Sequence, residues 1–379
     1  MLHDPDNGTL PSNDEQPRPN IRRGKGLRLS ADSPSDEPGV GTSGDNRQVD
    51  INAKPKRRGK GLRLSVETAS TEPQPASPPS SNGATKNGSP GHFEALEHLQ
   101  LAHGPIGYRR AGSGTPLLLI HGWGASSRYW FNTLVYLADT RTSYALDLPG
   151  FGASPALTVP ASIPRLAAVV IAFADALGLE QFDLNGQSFG AGVAAYLAAR
   201  WPERVQKLIL TTFGAMTNPF ERQVMALTQR SMEFALTAAQ PWLNLTQPWL
   251  NIWRPTATTL MSTPPIPQLM ASWYLDQTPA DGWMLREGIA DLMQMDLRAH
   301  LACLASVGSP DVTAALATIR APTLLIGGRH DRIMPPETLE TAQKLIPNNR
   351  VIILEHCGHV PMIEQPTAYH QAVREFLEE

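Results

Sequence analysis

The sequence predicts an α/β domain, a mostly parallel sheet with helices on both faces, preceded by a long polar tail. Three observations carry this reading. Short apolar runs of strand length alternate with helix-length stretches from residue 93 onward. No Phe, Trp or Tyr occurs before Phe93, so the first quarter of the chain lacks the material of a core. A Trp- and Met-rich segment, about Thr217 to Ser309, interrupts the alternation once.

Residues 1–92 are rich in Pro, Ser, Gly, Asn and Asp. Such a segment buries too little surface to offset the entropy of ordering its backbone, and it is predicted to be disordered. It contains one nine-residue motif twice: Arg22-Arg23-Gly24-Lys25-Gly26-Leu27-Arg28-Leu29-Ser30 recurs as Arg57-Arg58-Gly59-Lys60-Gly61-Leu62-Arg63-Leu64-Ser65. Two identical basic-aliphatic patches on one string suggest bivalent docking to a protein scaffold through residues 22–30 and 57–65. Attachment to an anionic surface and a duplicated linker without function are the alternatives.

Whole-chain composition narrows the class. A formal net charge of −3 gives no global attraction to nucleic acid, so none is expected as a partner. Two cysteines, Cys303 and Cys357, do not make a disulfide framework. The segment Met1–Asn20 has no apolar h-region, and no run is long enough to span a bilayer. The expected compartment is the cytoplasm.

In the domain, Leu117–Ile120, Tyr144–Leu146, Phe182–Leu184, Lys207–Leu210, Thr323–Ile326 and Val351–Leu354 read as buried strands of a mostly parallel sheet. The stretch Leu99–Arg110 is expected to supply antiparallel edge strands. Helices are predicted over Ile163–Leu177, over the alanine-rich Ala191–Ala199, and over Thr367–Glu378 at the end. The interrupting segment carries Trp242, Trp249, Trp253, Trp273 and Trp283, and Gln240-Pro241-Trp242-Leu243-Asn244 recurs as Gln247-Pro248-Trp249-Leu250-Asn251. A seven-residue step puts Trp242 and Trp249 on one side of a helix, although each proline is expected to disturb it. The segment reads as a helical lid over 217–309, inserted into a core formed by 93–216 and 310–379.

Four short segments carry chemistry. Gly186-Gln187-Ser188-Phe189-Gly190 lies between a predicted strand and an alanine-rich helix, the context in which a serine is presented as a nucleophile on a sharp turn. Its glycines leave room for crowded backbone, and the helix behind it aims its N-terminal dipole at a developing oxyanion. His121-Gly122-Trp123-Gly124 follows the strand ending at Ile120, and its loop can turn a backbone N–H to the same place. The Trp123 and Phe189 amides are therefore the expected oxyanion donors, with their side chains facing substrate. His121 reads as a structural histidine holding that loop. Asp331, in Gly327-Gly328-Arg329-His330-Asp331-Arg332, stands at a strand end from which a carboxylate can orient a histidine, and Arg329 and Arg332 are expected to help keep it ionised. In His356-Cys357-Gly358-His359-Val360-Pro361, His359 is the expected general base, with His356 as runner-up and Cys357 as packing. Chain order is Ser188, Asp331, His359.

Together with Asp147-Leu148-Pro149-Gly150-Phe151-Gly152-Ala153-Ser154, these segments resemble the α/β-hydrolase superfamily from about Gly104 to Glu379. The resemblance implies the α/β-hydrolase fold with an eight-stranded sheet, a lid between strands six and seven, and no cofactor or metal. It also implies a serine hydrolase, most similar to carboxylesterases, with Ser188, Asp331 and His359 as its triad. A serine at position 188 disfavours the dehalogenases and epoxide hydrolases of the superfamily, which use aspartate there.

The expected reaction is cleavage of a carboxylic ester of an apolar acyl or aryl small molecule through an acyl-enzyme. C–C bond hydrolysis or acyl transfer on the same triad is the first alternative. A non-catalytic accessory protein recruited through its tail is the second.

Overall fold

The computed structural model describes residues 95–215, 219–277, 282–307 and 309–379. The predicted disorder of 1–92 and both copies of the basic motif lie outside the described residues. Among those described, eight strands form one sheet. They are β1 (Leu96–Leu101), β2 (Gly104–Ala111), β3 (Thr115–Ile120), β4 (Arg141–Leu146), β5 (Phe182–Gln187), β6 (Val205–Thr211), β7 (Thr323–Gly328) and β8 (Asn349–Leu354). Their order across the sheet is β1-β2-β4-β3-β5-β6-β7-β8. The pairs β1–β2 and β2–β4 are antiparallel and every other pair is parallel. All six predicted strands and the antiparallel edge are present.

Helices cover both faces because the strands are apolar on both. In β3, Leu118 and Ile120 join a core with the helices α2 (Ile163–Ala176) and α3 (Phe189–Arg200). Leu117 and Leu119, one residue out of phase, join Trp130, Leu134 and Tyr369 on the opposite face. Those residues come from the Ser127–Trp130 turn, α1 (Phe131–Tyr136) and the terminal helix α11 (Pro366–Glu378).

Between β6 and β7 lie α4 (Pro219–Met261), α5 (Ile266–Tyr274), α6 (Trp283–Gln294), α7 (Leu297–Ser306) and α8 (Pro310–Ala315). The helix α4 runs through Pro241 and Pro248, where disturbance was expected, and also through Pro255. Each proline removes one intrahelical hydrogen bond, at a cost of about 3 kcal/mol in a helix interior. Their seven-residue step keeps the three lost bonds on one flank, and the helix is held along its length by contacts with α6 and α7. No single helix among the described residues is long and apolar enough to cross a membrane. The remaining helices are α9 (Pro336–Leu345) and the short α10 (Pro361–Glu364).

The parallel register decides what meets at the carboxyl edge of the sheet. Ile120 pairs with Gly186, so Trp123 and Phe189 each stand three residues beyond a paired position on adjacent strands. That approach is backbone on backbone: a Cβ on Gly190 would lie 2.3 Å from the His121 carbonyl oxygen and 2.4 Å from that of Ile120. Gly190→Ala is therefore expected to destabilise the fold by at least about 2–3 kcal/mol through overpacking. Gly178→Ala, in the left-handed region at φ +67° with nothing within 4 Å, should cost only about 1 kcal/mol. Urea unfolding of the two variants measures the difference, and equal costs would show that the loop can give way.

Candidate active site

Ser188 sits between β5 and α3 at φ +52°, ψ −117°, a left-handed backbone that a non-glycine residue adopts only under constraint. Two restraints are visible. Its N–H donates to the Thr211 carbonyl at 2.9 Å, and its own carbonyl accepts from Ala191 and Gly192, the first turn of α3. The turn leaves the hydroxyl half-buried at the sheet edge.

His359 Nε2 lies 2.9 Å from Ser188 Oγ, and His359 Nδ1 lies 2.8 Å from Asp331 Oδ2. Asp331 and His359 are both buried. Asp331 is not held by the arginines beside it in sequence, which is a correction. Arg329 pairs with Glu355 at 2.9 Å, and Arg332 donates to the Ser272 carbonyl at 3.1 Å. The Asp331 Oδ1 atom instead accepts the backbone N–H groups of Ile333 and Met334, at 2.8 and 2.9 Å. The reason is geometric: the turn after β7 curls over the carboxylate, while the long arginine side chains reach outward to solvent-facing acceptors.

The His359 loop is fixed through every backbone N–H from 358 to 360. Gly358 and Val360 donate to the two oxygens of the Glu364 carboxylate, each at 2.9 Å, and His359 donates to the Tyr274 carbonyl at 2.9 Å. Glu364 Oε2 also accepts from Asp276 and Gln277, at 2.7 and 3.1 Å. One buried carboxylate thus ties the end of α5 to the loop bearing His359. Gln187 adds a second tie, its amide donating to the His359 carbonyl at 3.1 Å and to Thr212 Oγ1 at 3.2 Å. The sequence reading missed both residues.

The Gly122–Gly124 loop is held from both sides. His121 accepts the Leu148 N–H at Nε2, 3.0 Å, so its proton sits on Nδ1, which donates to the Gly122 carbonyl at 2.8 Å. Burial lowers its basicity and keeps that neutral tautomer. Outside, Leu292 of α6 lies over Gly124, and the His300 ring of α7 lies against the Trp123 ring, tilted by 59° with centroids 4.4 Å apart. The Phe189 ring is buried in the core. Among the described residues, neither the Trp123 nor the Phe189 N–H donates to a protein acceptor.

Other candidates are set apart. His356 is exposed and its ring stacks edge-on against His330, away from Ser188. Cys303 and Cys357 are free, buried thiols whose pKa burial pushes up, which makes them poor nucleophiles. Trp242, Trp249, Trp253 and Trp273 are exposed on the outside of the inserted helices. The exposed set Asp276, His330 and His356 brings one ligand atom of each within 4.8 Å of the others and could take a cation. His330 Nδ1 already meets Asp276 Oδ2 at 2.9 Å, so the grouping needs no ion to hold it.

A family model for the alpha/beta hydrolase fold matches residues 115–366. The chain belongs to the α/β-hydrolase fold family. The hydrolase is 30% identical over 262 residues to a pimeloyl-[acyl-carrier protein] methyl ester esterase of Nitrosomonas europaea, covering 68% of this chain and 94% of that one. It is 30% identical over 276 residues to a 2-hydroxymuconate semialdehyde hydrolase of Pseudomonas sp. strain CF600, covering 71% and 89%. Among solved structures, that of a membrane phospholipase A superposes with a TM-score of 0.59 at 28% identity, over 75% of this hydrolase and 86% of that chain. These relatives make it an enzyme of hydrolytic type.

Two carboxylates of the site lend themselves to measurement. Glu364→Gln turns an amide NH₂ or a weaker acceptor toward four N–H donors and is expected to cost about 2–3 kcal/mol of stability. It should also lower kcat more than it changes KM, because the loop carrying His359 loses two anchors. Asp291 in α6 accepts from Ser126 Oγ at 2.5 Å and pairs with Arg128 at 2.9 Å, yet burial pushes its pKa up to about 6. A raised carboxylate binds more protons in the folded state, so its contribution is greatest below the unfolded value and is lost as pH rises through about 6. Thermal midpoints of wild type and Asp291→Asn, compared from pH 4 to 7, should show wild type losing ground over that interval. A constant difference would contradict the raised value.

Proposed function

We propose that this hydrolase cleaves a carboxylic ester of an apolar small molecule through an acyl-enzyme on Ser188. The observation that carries the reading is the continuous chain from Ser188 Oγ through His359 to Asp331, at 2.9 and 2.8 Å, built on a left-handed serine. In this mechanism His359 Nε2 takes the Ser188 proton as Oγ attacks the carbonyl carbon. Asp331 holds the proton on Nδ1 and stabilises the imidazolium that forms. The Trp123 and Phe189 amides, with no protein acceptor among the described residues, receive the oxyanion, aided by the N-terminus of α3. His359 then protonates the leaving alcohol, and in the second half it activates water against the acyl-enzyme.

The substrate class follows from what lies over the oxyanion loop. Leu292 and the tilted Trp123–His300 ring pair are apolar or aromatic, and burial lowers the basicity of His300. Such walls suit an uncharged acyl or aryl group, and the helices between β6 and β7 act as the lid. Relatives described as a methyl ester esterase and a phospholipase A act on acyl esters, in keeping with this reading. The 2-hydroxymuconate semialdehyde hydrolase relative favours a second reading, hydrolytic cleavage next to a ketone carbonyl on the same residues.

Hydrolysis of a chain-length series of p-nitrophenyl esters separates these readings. Wild type is expected to turn over medium-length acyl chains, and Ser188→Ala to lose about 10⁴-fold or more in kcat. Activity that survives in Ser188→Ala would remove the acyl-enzyme. A fully folded wild type inert across the series, yet active on a vinylogous 1,5-diketone, would transfer the assignment to C–C cleavage.

A further inference from the structure

The helix α4 has two apolar flanks, and among the described residues only one packs against the rest of the protein. At about 100° per residue, Phe234, Trp242, Leu245, Trp249, Ile252 and Trp253 fall within roughly a 100° arc. All six are 65–77% exposed. Leu236 and Leu243 project from a different flank and pack against the body. Six large apolar side chains in one stripe, three of them indoles, are far more than the scattered exposed apolar residues of an ordinary surface.

The chemistry of the stripe selects its occupant. Tryptophan favours the boundary between hydrocarbon and water, where the ring is apolar and the N–H stays hydrated. From Phe234 to Met261 there is no carboxylate, and the one cation, Arg254, turns to the Met295 carbonyl at 3.4 Å. A helix built to pair with a second copy in water carries opposite charges beside its apolar seam to set register; here those flanks hold Pro, Thr, Gln and Asn. The chain also supplies a counterpart to anionic headgroups. The two copies of the tail motif contain Arg22, Arg23, Lys25, Arg28, Arg57, Arg58, Lys60 and Arg63, with no acidic residue within either copy. One weak apolar contact and one basic segment are each insufficient alone for stable attachment, and together they suffice.

We propose that this hydrolase docks on an anionic lipid surface, with the tryptophan stripe of α4 seated at headgroup depth and the duplicated basic motif held by the headgroups. The attachment is peripheral. It is independent of the ester chemistry assigned to Ser188, and it is read by a measurement that involves no turnover.

The test uses the full chain and sedimentation with large unilamellar vesicles, either phosphatidylcholine alone or a two-to-one mixture with phosphatidylglycerol. Wild type is expected to partition onto the mixed vesicles with a blue shift of tryptophan emission, and to be weakened by salt. The triple variant Trp242→Ser, Trp249→Ser, Trp253→Ser changes only exposed positions and should keep its thermal midpoint while losing about tenfold or more in partition. Replacing the eight tail cations by Gln should reduce binding to the level seen on phosphatidylcholine alone. Absence of wild-type binding, or equal binding by the triple-tryptophan variant, would overturn the proposal. Equal binding by the tail variant would overturn its headgroup half. A wild-type dimer in lipid-free solution that the triple variant abolishes, without vesicle binding, would assign the stripe to a second copy instead.

Discussion

The site depends on one constraint: several chain turns must share the carboxyl edge of a parallel sheet at backbone contact distance. The backbone records the crowding. Among the described residues, the three non-glycine positions with positive φ are Ser188, Thr212 and His356, and each follows the end of a strand, β5, β6 and β8 respectively. Such conformations cost of order 1–3 kcal/mol each and persist only where surrounding structure over-determines them. Here the sheet itself does so, because Ser188 N–H and Thr212 N–H donate to the Thr211 and Ile326 carbonyls, at 2.9 and 2.7 Å. Glycine is required where turn meets turn. A Cβ on Gly328 would stand 2.2 Å from the Gly358 carbonyl oxygen, so the end of β7, three residues before Asp331, and the loop bearing His359 could not otherwise touch.

Side chains then lock what the backbone brings together. Glu364 and Gln187 bind backbone groups of the base loop, not its imidazole, so they set where His359 stands and leave its ring free to meet Ser188 and Asp331. Because Glu364 also binds Asp276 and Gln277, the end of the inserted helices and the base loop share one anchor. The order of dependence runs from the sheet, through two buried polar side chains, to a three-atom chemical chain. A buried carboxylate with four N–H partners is stable there only because those partners replace its water completely.

Much of this was legible in the sequence, and the exceptions share a cause. Strands, flanking helices and the Ser188, Asp331 and His359 segments each announce themselves within ten residues, through apolar runs, glycines and turn chemistry. Glu364, Gln187 and Asp291 do not, because their partners lie up to 172 residues away and nothing local distinguishes them from ordinary polar residues. Proximity in sequence also misled at Asp331, where Arg329 and Arg332 are neighbours on the chain and turn to other partners. The prolines of α4 were expected to disturb a helix that in fact continues through them. Local propensity is a weak prior once a helix is packed along its length and its defects fall on one flank.

The helix α4 extends the same logic to the outside of the molecule. Aromatic content shows that a segment seeks apolar surroundings, but only the structure tells which flank the body already satisfies. The inner flank is held by Leu236 and Leu243 and by hydrogen bonds from Gln240 to the Thr158 carbonyl, 2.7 Å, and from Arg298 to Asn244, 2.9 Å. Arg298 lies in α7, two residues before His300, whose ring lies against Trp123 in the Gly122–Gly124 loop. The flank that meets lipid in our proposal and the loop carrying Trp123 are therefore joined by direct contacts through one helix, α7. A helix with a free apolar flank is driven toward any interface that removes that flank from water. Under the ester reading proposed above, such docking would hold the enzyme where apolar esters concentrate, without a membrane-spanning helix.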